Sequence, residues 1–237
     1  AKRLVQLPLA LFGTASAQAS LPALSEQAAH DDLKGCHATL LSVIRMVGFV
    51  ILPASIGLMV LAFPIVGGLF ERGAFDHRAT IMTAQALICY CPGLVAYSVS
   101  KVLTGAFYAL HDTATPVRLA VEALVLNLLA SLVLMWPLQV GGLALAAAIT
   151  NSANAYRLTR CLERRLAAPL LTPILGPLGR ILAASLVMAA GCQIVWTAGE
   201  FASRPLLGLP VTIILGLVIY GGACAVLRVN ELSTALQ

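Results

Sequence analysis

Lys2, Arg3, Lys101 and Glu122 stand inside long apolar runs or at their heads, and these are the residues best placed to do chemistry. An ionisable side chain in a bilayer costs about 2.5–3.5 kcal/mol on insertion scales, so it pairs, reaches the interface or lines a wet cavity. Arg3 heads the first apolar run, where a guanidinium either snorkels to the interface or meets an anion. Lys101 lies about one third of the way up a helix expected over residues 79–110. Glu122 sits about two turns into the next helix, at similar depth. The short turn at 111–115 makes these helices antiparallel neighbours, so Lys101 and Glu122 are expected to form an ion pair that fixes helix register. In the competing reading Lys101 faces a hydrated cavity and meets an anionic substrate.

Other chemistries find little support. The four histidines (His30, His37, His77 and His111) fall at helix edges and the acids are dispersed. A membrane enzyme acting on prenyl pyrophosphates needs clustered carboxylates or histidines with metal or phosphate, so that class is disfavoured. Cys36, Cys89, Cys91, Cys161, Cys192 and Cys224 show neither a CxxC pair nor zinc-ligand spacing with histidine, and read as small apolar side chains. No metal or other cofactor is expected. Asn127, Asn151 and Asn154 are expected to hydrogen-bond between helices.

The elements that carry these residues follow from composition. The 237 residues are 59% hydrophobic and only 11% charged, with a mean hydropathy of +0.92, against roughly 25% charged in an ordinary soluble domain. Too little polar surface remains to face water, so the chain is read as an all-α integral membrane protein. Its net charge of +5 sits between apolar runs rather than in a basic stripe with interleaved aromatics, which argues against nucleic acid as a partner and points to membrane lipids. Charge-free runs cover 4–25, 46–70, 79–100, 123–156, 181–199 and 205–227. Roughly 20 apolar residues cross a bilayer, and Pro137 with Gly141-Gly142 divides the longest run at a tight turn. Seven spans are expected, near 4–24, 39–63, 79–110, 115–136, 141–162, 178–198 and 206–227. Pro8, Pro53 and Pro92 are expected to kink helices rather than end them, because neighbours can satisfy the freed carbonyls.

Lys2-Arg3, the apolar stretch and Ala15-Ser16-Ala17 mimic a signal peptide. No Met opens the chain, however, and the apolar stretch runs on to Leu24, so residue 1 is expected to lie inside a longer polypeptide. Nine basic residues fall on one side of the spans: Lys34, Arg45, Arg118, Arg157, Arg160, Arg164, Arg165, Arg180 and Arg228. Only Arg72, Arg78 and Arg204 fall on the other. The rich side is expected to be cytoplasmic, with the C-terminus there. The arginines at the start of the 157–180 segment read as a topology anchor, with anionic lipid binding as the lesser reading.

Four motifs then carry a family resemblance. LVQLPLALFGTA (4–15), LPALS (21–25), LFERGAFD (69–76) and KVLTGAFYALHDTATPV (101–117) closely resemble the MurJ/MviN family. These are lipid II flippases of the multidrug/oligosaccharidyl-lipid/polysaccharide exporter superfamily. The resemblance is collinear over residues 1–165, while 166–237 match only as two further apolar spans. It implies helices eight to fourteen of a fourteen-helix, two-lobe flippase. Residues 1–165 would be an incomplete C-terminal lobe of about five helices. Residues 166–237 would be two additional helices forming a groove for a prenyl tail.

The resemblance also implies alternating-access movement of undecaprenyl-pyrophosphate-linked lipid II from the inner to the outer leaflet of the bacterial plasma membrane. The N-terminal half of the same protein would supply the other cavity wall. Arg3 falls on the family's cavity arginine and would hold pyrophosphate, a contact suited to its guanidinium fork. Lys2 replaces the usual Asp, which adds positive charge and removes a partner for Arg3. Lys101 would be the further substrate contact. The alternatives are a related exporter of another lipid-linked oligosaccharide or of drugs, and a non-functional truncated remnant.

Overall fold

A computed structural model describes residues 15–70, 76–198 and 205–227, all helices and short turns. The helices are α1 (Ala15–Ala29), α2 (Leu33–Val60), α3 (Ala62–Phe70), α4 (His77–Tyr90), α5 (Pro92–Ala109), α6 (Ala114–Leu166), α7 (Leu171–Ala198) and α8 (Pro205–Val226). Aspartates start three of them. Asp32 accepts from Gly35 N at 2.9 Å and Asp76 from Ala79 N at 2.9 Å. Asp112 accepts from Thr115 N at 3.0 Å and from Thr115 Oγ1 at 2.8 Å. A first helical turn leaves its N–H groups without intrahelical partners, and a short carboxylate fills that place.

Four helices (α2, α6, α7 and the 208–226 part of α8) are long and apolar enough to cross a membrane, and α4 with α5 makes a fifth such unit bent by 46°. The expected 79–110 span is this broken pair. Pro92 opens α5, where a missing N–H costs nothing, and Ser55 Oγ of α2 donates to Cys91 O at 2.6 Å across the break. The expected 39–63 span is likewise divided at Leu61, because Pro64 cannot donate to the Val60 carbonyl. The expected 4–24 span lies mostly outside the described residues.

The 53 residues of α6 form two limbs. Gln139, two residues after Pro137, takes φ 48° and breaks the helix. A side chain on Gly142 would collide with the Leu134 carbonyl, so the chain folds back on itself there. Ion pairs confirm the reversal. Glu122 meets Arg157 and Asp112 meets Arg165, and Gln139 lies close to the midpoint of each pair. The Glu122–Arg157 pair is about 17 residues from the turn, or roughly 26 Å, close to the roughly 30 Å hydrocarbon thickness. The sequence places this turn correctly.

Close approaches set the packing. An ideal Cβ on Gly93 of α5 would lie 2.6 Å from Ala148 Cα, and Arg165 Nη2 donates to Leu110 O at 3.1 Å. Both contacts share one sequence offset, so α5 and the second limb of α6 run parallel. The helices α2 and α7 are also parallel: His37 Nε2 meets Pro169 O at 3.0 Å, Arg45 Nη2 donates to Pro173 O at 3.0 Å, and Gly48 faces Leu178. One apolar cluster joins α1, α2, α4, α5 and the second limb of α6 through residues such as Leu40, Leu87, Leu103, Phe107 and Leu158. A second seats α7 and α8 on α2 and α3 through Phe49, Leu61, Ile181, Met188, Leu209 and Tyr220. The first limb of α6 instead leaves Leu124, Val133 and Trp136 69–84% exposed, an apolar surface that suits lipid rather than water.

Candidate functional site

Lys2 and Arg3, the first two expected substrate contacts, lie outside the described residues. Lys101 lies on the exposed side of α5. Its Nζ sits 5.4 Å from the centroid of the Tyr97 ring one turn earlier, a cation–π distance. Tyr108, 47% exposed, continues the same side two turns on. Away from this side, Val102, Leu103 and Phe107 are buried, which fixes how the helix is turned. The result is a strip of one cation between two phenol rings, partway into a membrane-spanning unit. The aromatic members were missed from sequence, although the i, i+4 spacing of Tyr97 and Lys101 was available to find them.

The expected Lys101–Glu122 ion pair is not formed. Glu122 pairs instead with Arg157 across the α6 hairpin and with Arg118 one turn earlier, Arg118 Nε donating at 3.1 Å. The two expected partners do lie at similar depth. However, the first limb of α6 is rotated so that Glu122 faces its own second limb rather than α5, and two guanidiniums occupy the carboxylate. Lys101 makes no ion pair among the described residues.

The arginine-rich end is closely tied together. Arg165 Nη1 donates to Asp112 Oδ2 at 2.7 Å as well as to Leu110 O. The Thr115 backbone and hydroxyl bonds, with Arg165 beside them, hold the Asp112 carboxyl below the usual carboxylate range. Glu163 Oε1 accepts from Leu170 N at 2.8 Å and Leu171 N at 2.9 Å, so a side chain of α6 caps the start of α7. The in-span asparagines do less than expected. Asn127 Oδ1 accepts from Ser131 within its own limb at 3.4 Å, and buried Asn154 Oδ1 has no hydrogen-bond partner among the described residues.

The last two helices pack through small residues. A Cβ on Gly191 would lie 2.5 Å from Ile219 Cδ1, and one on Gly216 2.7 Å from Cys192 Sγ, so α7 and α8 approach closely. Tyr220 of α8 donates its hydroxyl to Phe49 O at 2.7 Å. Pro53, one turn after Phe49, has no N–H to give that carbonyl, so a neighbouring helix supplies the missing donor. The outer faces remain apolar, with Leu186 and Ile194 of α7 and Ile214, Leu217 and Val218 of α8 more than half exposed.

Comparison with known proteins gives this arrangement a family. The family profile described as Lipid II flippase MurJ matches residues 1–216. A probable lipid II flippase MurJ of Vibrio cholerae serotype O1 is 39% identical over 158 residues, covering 65% of this chain and 30% of its own length. The corresponding protein of Thermotoga maritima is 30% identical over 237 residues, covering 99% of this chain and 46% of its own length. A solved lipid II flippase MurJ in an inward closed conformation shares the fold with a TM-score of 0.78, at 23% identity, over 95% of this chain and 45% of that one. The chain thus spans less than half the length of these relatives. With a family match over most of the sequence and a shared arrangement of helices, the chain belongs to the lipid II flippase MurJ family.

Proposed function

We propose that this chain works as the C-terminal part of a lipid II flippase of the relatives' length. The observation that carries this reading is the match to the flippase family over residues 1–216, in a chain whose helices follow a flippase fold over 95% of its length. The substrate is then an undecaprenyl-pyrophosphate-linked peptidoglycan precursor, moved by alternating access in the bacterial plasma membrane. The arginine-rich end faces the cytoplasm, as positive-inside counting favours. Residues 1–165 form an incomplete lobe whose other cavity wall comes from the N-terminal half of the protein. Residues 166–237 add α7 and α8, whose apolar outer faces suit a prenyl tail.

Lys101 gives this reading a site. Lys101 lies on the exposed side of α5, level with Tyr156 of the second limb of α6 by the register of the two helices, and with no ion-pair partner among the described residues its charge is left for an anion at the mouth of a hydrated cavity. Facing such a cavity, it adds to Arg3 and Lys2 a third cation for the pyrophosphate, while Tyr97 and Tyr108 offer donors and ring faces to the sugar-bearing headgroup. The test is growth of a flippase-depleted bacterium. The protein of the relatives' length that includes this sequence should restore growth, and Lys101→Ala should weaken rescue while Lys101→Arg retains most of it. Full rescue by Lys101→Ala, with the protein present in the membrane, removes Lys101 from the site. Vesicles holding the 237-residue chain by itself should translocate no lipid II.

A further inference from the structure

The outer face of the second limb of α6 changes character along its length. Ile149 is 47% exposed and Tyr156 55% exposed; Arg160 and Arg164 follow at intervals of four residues, both exposed. Residues so spaced share one helix face. The Arg160 guanidinium lies 5.9 Å from the Tyr156 ring centroid. Aliphatic, then aromatic, then cationic is the order met by a helix leaving a bilayer through its headgroup layer. Past Arg164 the chain turns at Ala167, with φ 49°. Ala167, Ala168 and Pro169 then line an open surface cleft of about 300 Å³ with Arg160, Glu163 and Arg164.

The charges of that cleft are unevenly satisfied. Glu163 is engaged by the Leu170 and Leu171 amides, and Arg160 Nη1 reaches its other oxygen only at 3.3 Å. The first turn of α7 therefore already has its anion. Arg165 is held by Asp112, and Arg157 by Glu122. Arg164 has no ion-pair partner among the described residues, and Arg160 keeps donors to spare. Two guanidiniums against one carboxylate, at one side of an open cleft whose other side is Ala167, Ala168 and Pro169 and just beyond an interfacial tyrosine, fit a phosphate ester held by forked hydrogen bonds.

We propose that this cleft seats the phosphate of an anionic lipid headgroup, in the leaflet that meets the arginine-rich end. The lipid holds the α6–α7 turn at the membrane surface and neutralises the charge left by Arg164.

The test uses the full chain in an uncharged detergent, titrated with phosphatidylglycerol, phosphatidylcholine or inorganic phosphate and read by native mass spectrometry. Phosphatidylglycerol should bind in preference to the other two. A surface arginine near anionic lipid is worth about tenfold or less in binding, so Arg160→Gln with Arg164→Gln should weaken phosphatidylglycerol by roughly 10- to 30-fold. Arg118→Gln with Arg180→Gln removes the same charge elsewhere and should weaken it by less than about threefold. Arg164→Gln alone breaks no hydrogen bond among the described residues, and it should still weaken binding measurably if the double variant fails to fold. Equal weakening by the two double variants, or no weakening by Arg164→Gln, overturns the site. Inorganic phosphate binding as tightly as phosphatidylglycerol shows a free-anion site and overturns the lipid assignment.

Discussion

Tyr220→Phe tests how this bundle tolerates a proline inside a spanning helix. The substitution keeps the ring, 5.5 Å from the Phe49 ring, and removes only the hydroxyl that donates to Phe49 O at 2.7 Å. Both residues are buried, and Pro53 supplies no replacement donor. A buried acceptor left without a partner costs about 1–3 kcal/mol, whereas measured hydrogen bonds between membrane helices average about 0.6 and reach about 1.7 kcal/mol. Because this carbonyl has no helical donor to fall back on, the expected loss is near the upper membrane value, about 1.5 kcal/mol. Pro53→Ala restores a helical N–H one turn after Phe49, so in that background Tyr220→Phe should cost only about 0.5 kcal/mol. The coupling of about 1 kcal/mol exceeds the scatter of about 0.3–0.5 kcal/mol seen for independent sites. It is read from the midpoints of reversible unfolding titrations in mixed micelles for the wild type, both single variants and the double. An equal loss in the two backgrounds would refute the claim that Tyr220 stands in for the amide that Pro53 lacks.

Three further outcomes are expected. Gly93→Ala should destabilise by about 1–3 kcal/mol, because its Cβ would meet the Ala148 backbone at 2.6 Å; Gly176→Ala, whose Cβ would meet no atom beyond its own helical turn within 4 Å among the described residues, should not, and equal midpoints for the two variants would contradict the close approach of α5 and α6. Glu163→Ala should remove the cap of α7 at a cost of about 0.5–2 kcal/mol, seen as faster amide exchange confined to residues 170–172, whereas unchanged exchange there would mean that Glu163 caps nothing. Glu122→Arg combined with Arg157→Glu should recover part of the stability lost in each single variant, read from the same unfolding midpoints, and no recovery would contradict the pairing across the α6 hairpin. Glu122 and Lys101 should show no coupling in the same unfolding titrations, and a measurable one would restore that pair.

The sequence was legible where covalent chemistry dictates the backbone. Pro137 and Gly141-Gly142 mark the α6 reversal because a missing N–H and a missing Cβ act locally, and the arginines gather at one end because charge cannot stay in hydrocarbon. Helix rotation was not legible. The depths of Lys101 and Glu122 follow from counting residues, but their facing depends on which side of each helix is buried. In a soluble helix the apolar stripe reveals that side; here lipid-facing and protein-facing sides are equally apolar. The pairing of Glu122 with Arg157 therefore emerges only once the hairpin is folded. Tyr220 and Phe49 lie 171 positions apart, and nothing local joins them. The Tyr97–Lys101 strip lies between these cases, visible as spacing but without a stated side.

Arg3 carries the substrate reading furthest, and flipping itself tests it. The protein of the relatives' length, reconstituted in vesicles with fluorescent lipid II, should move the lipid to a leaflet accessible from outside. Arg3→Ala in the same protein should abolish that movement without loss of inserted protein, and Arg3→Lys should retain part of it. Undiminished flipping by Arg3→Ala would contradict a cationic pyrophosphate site at the head of the first span.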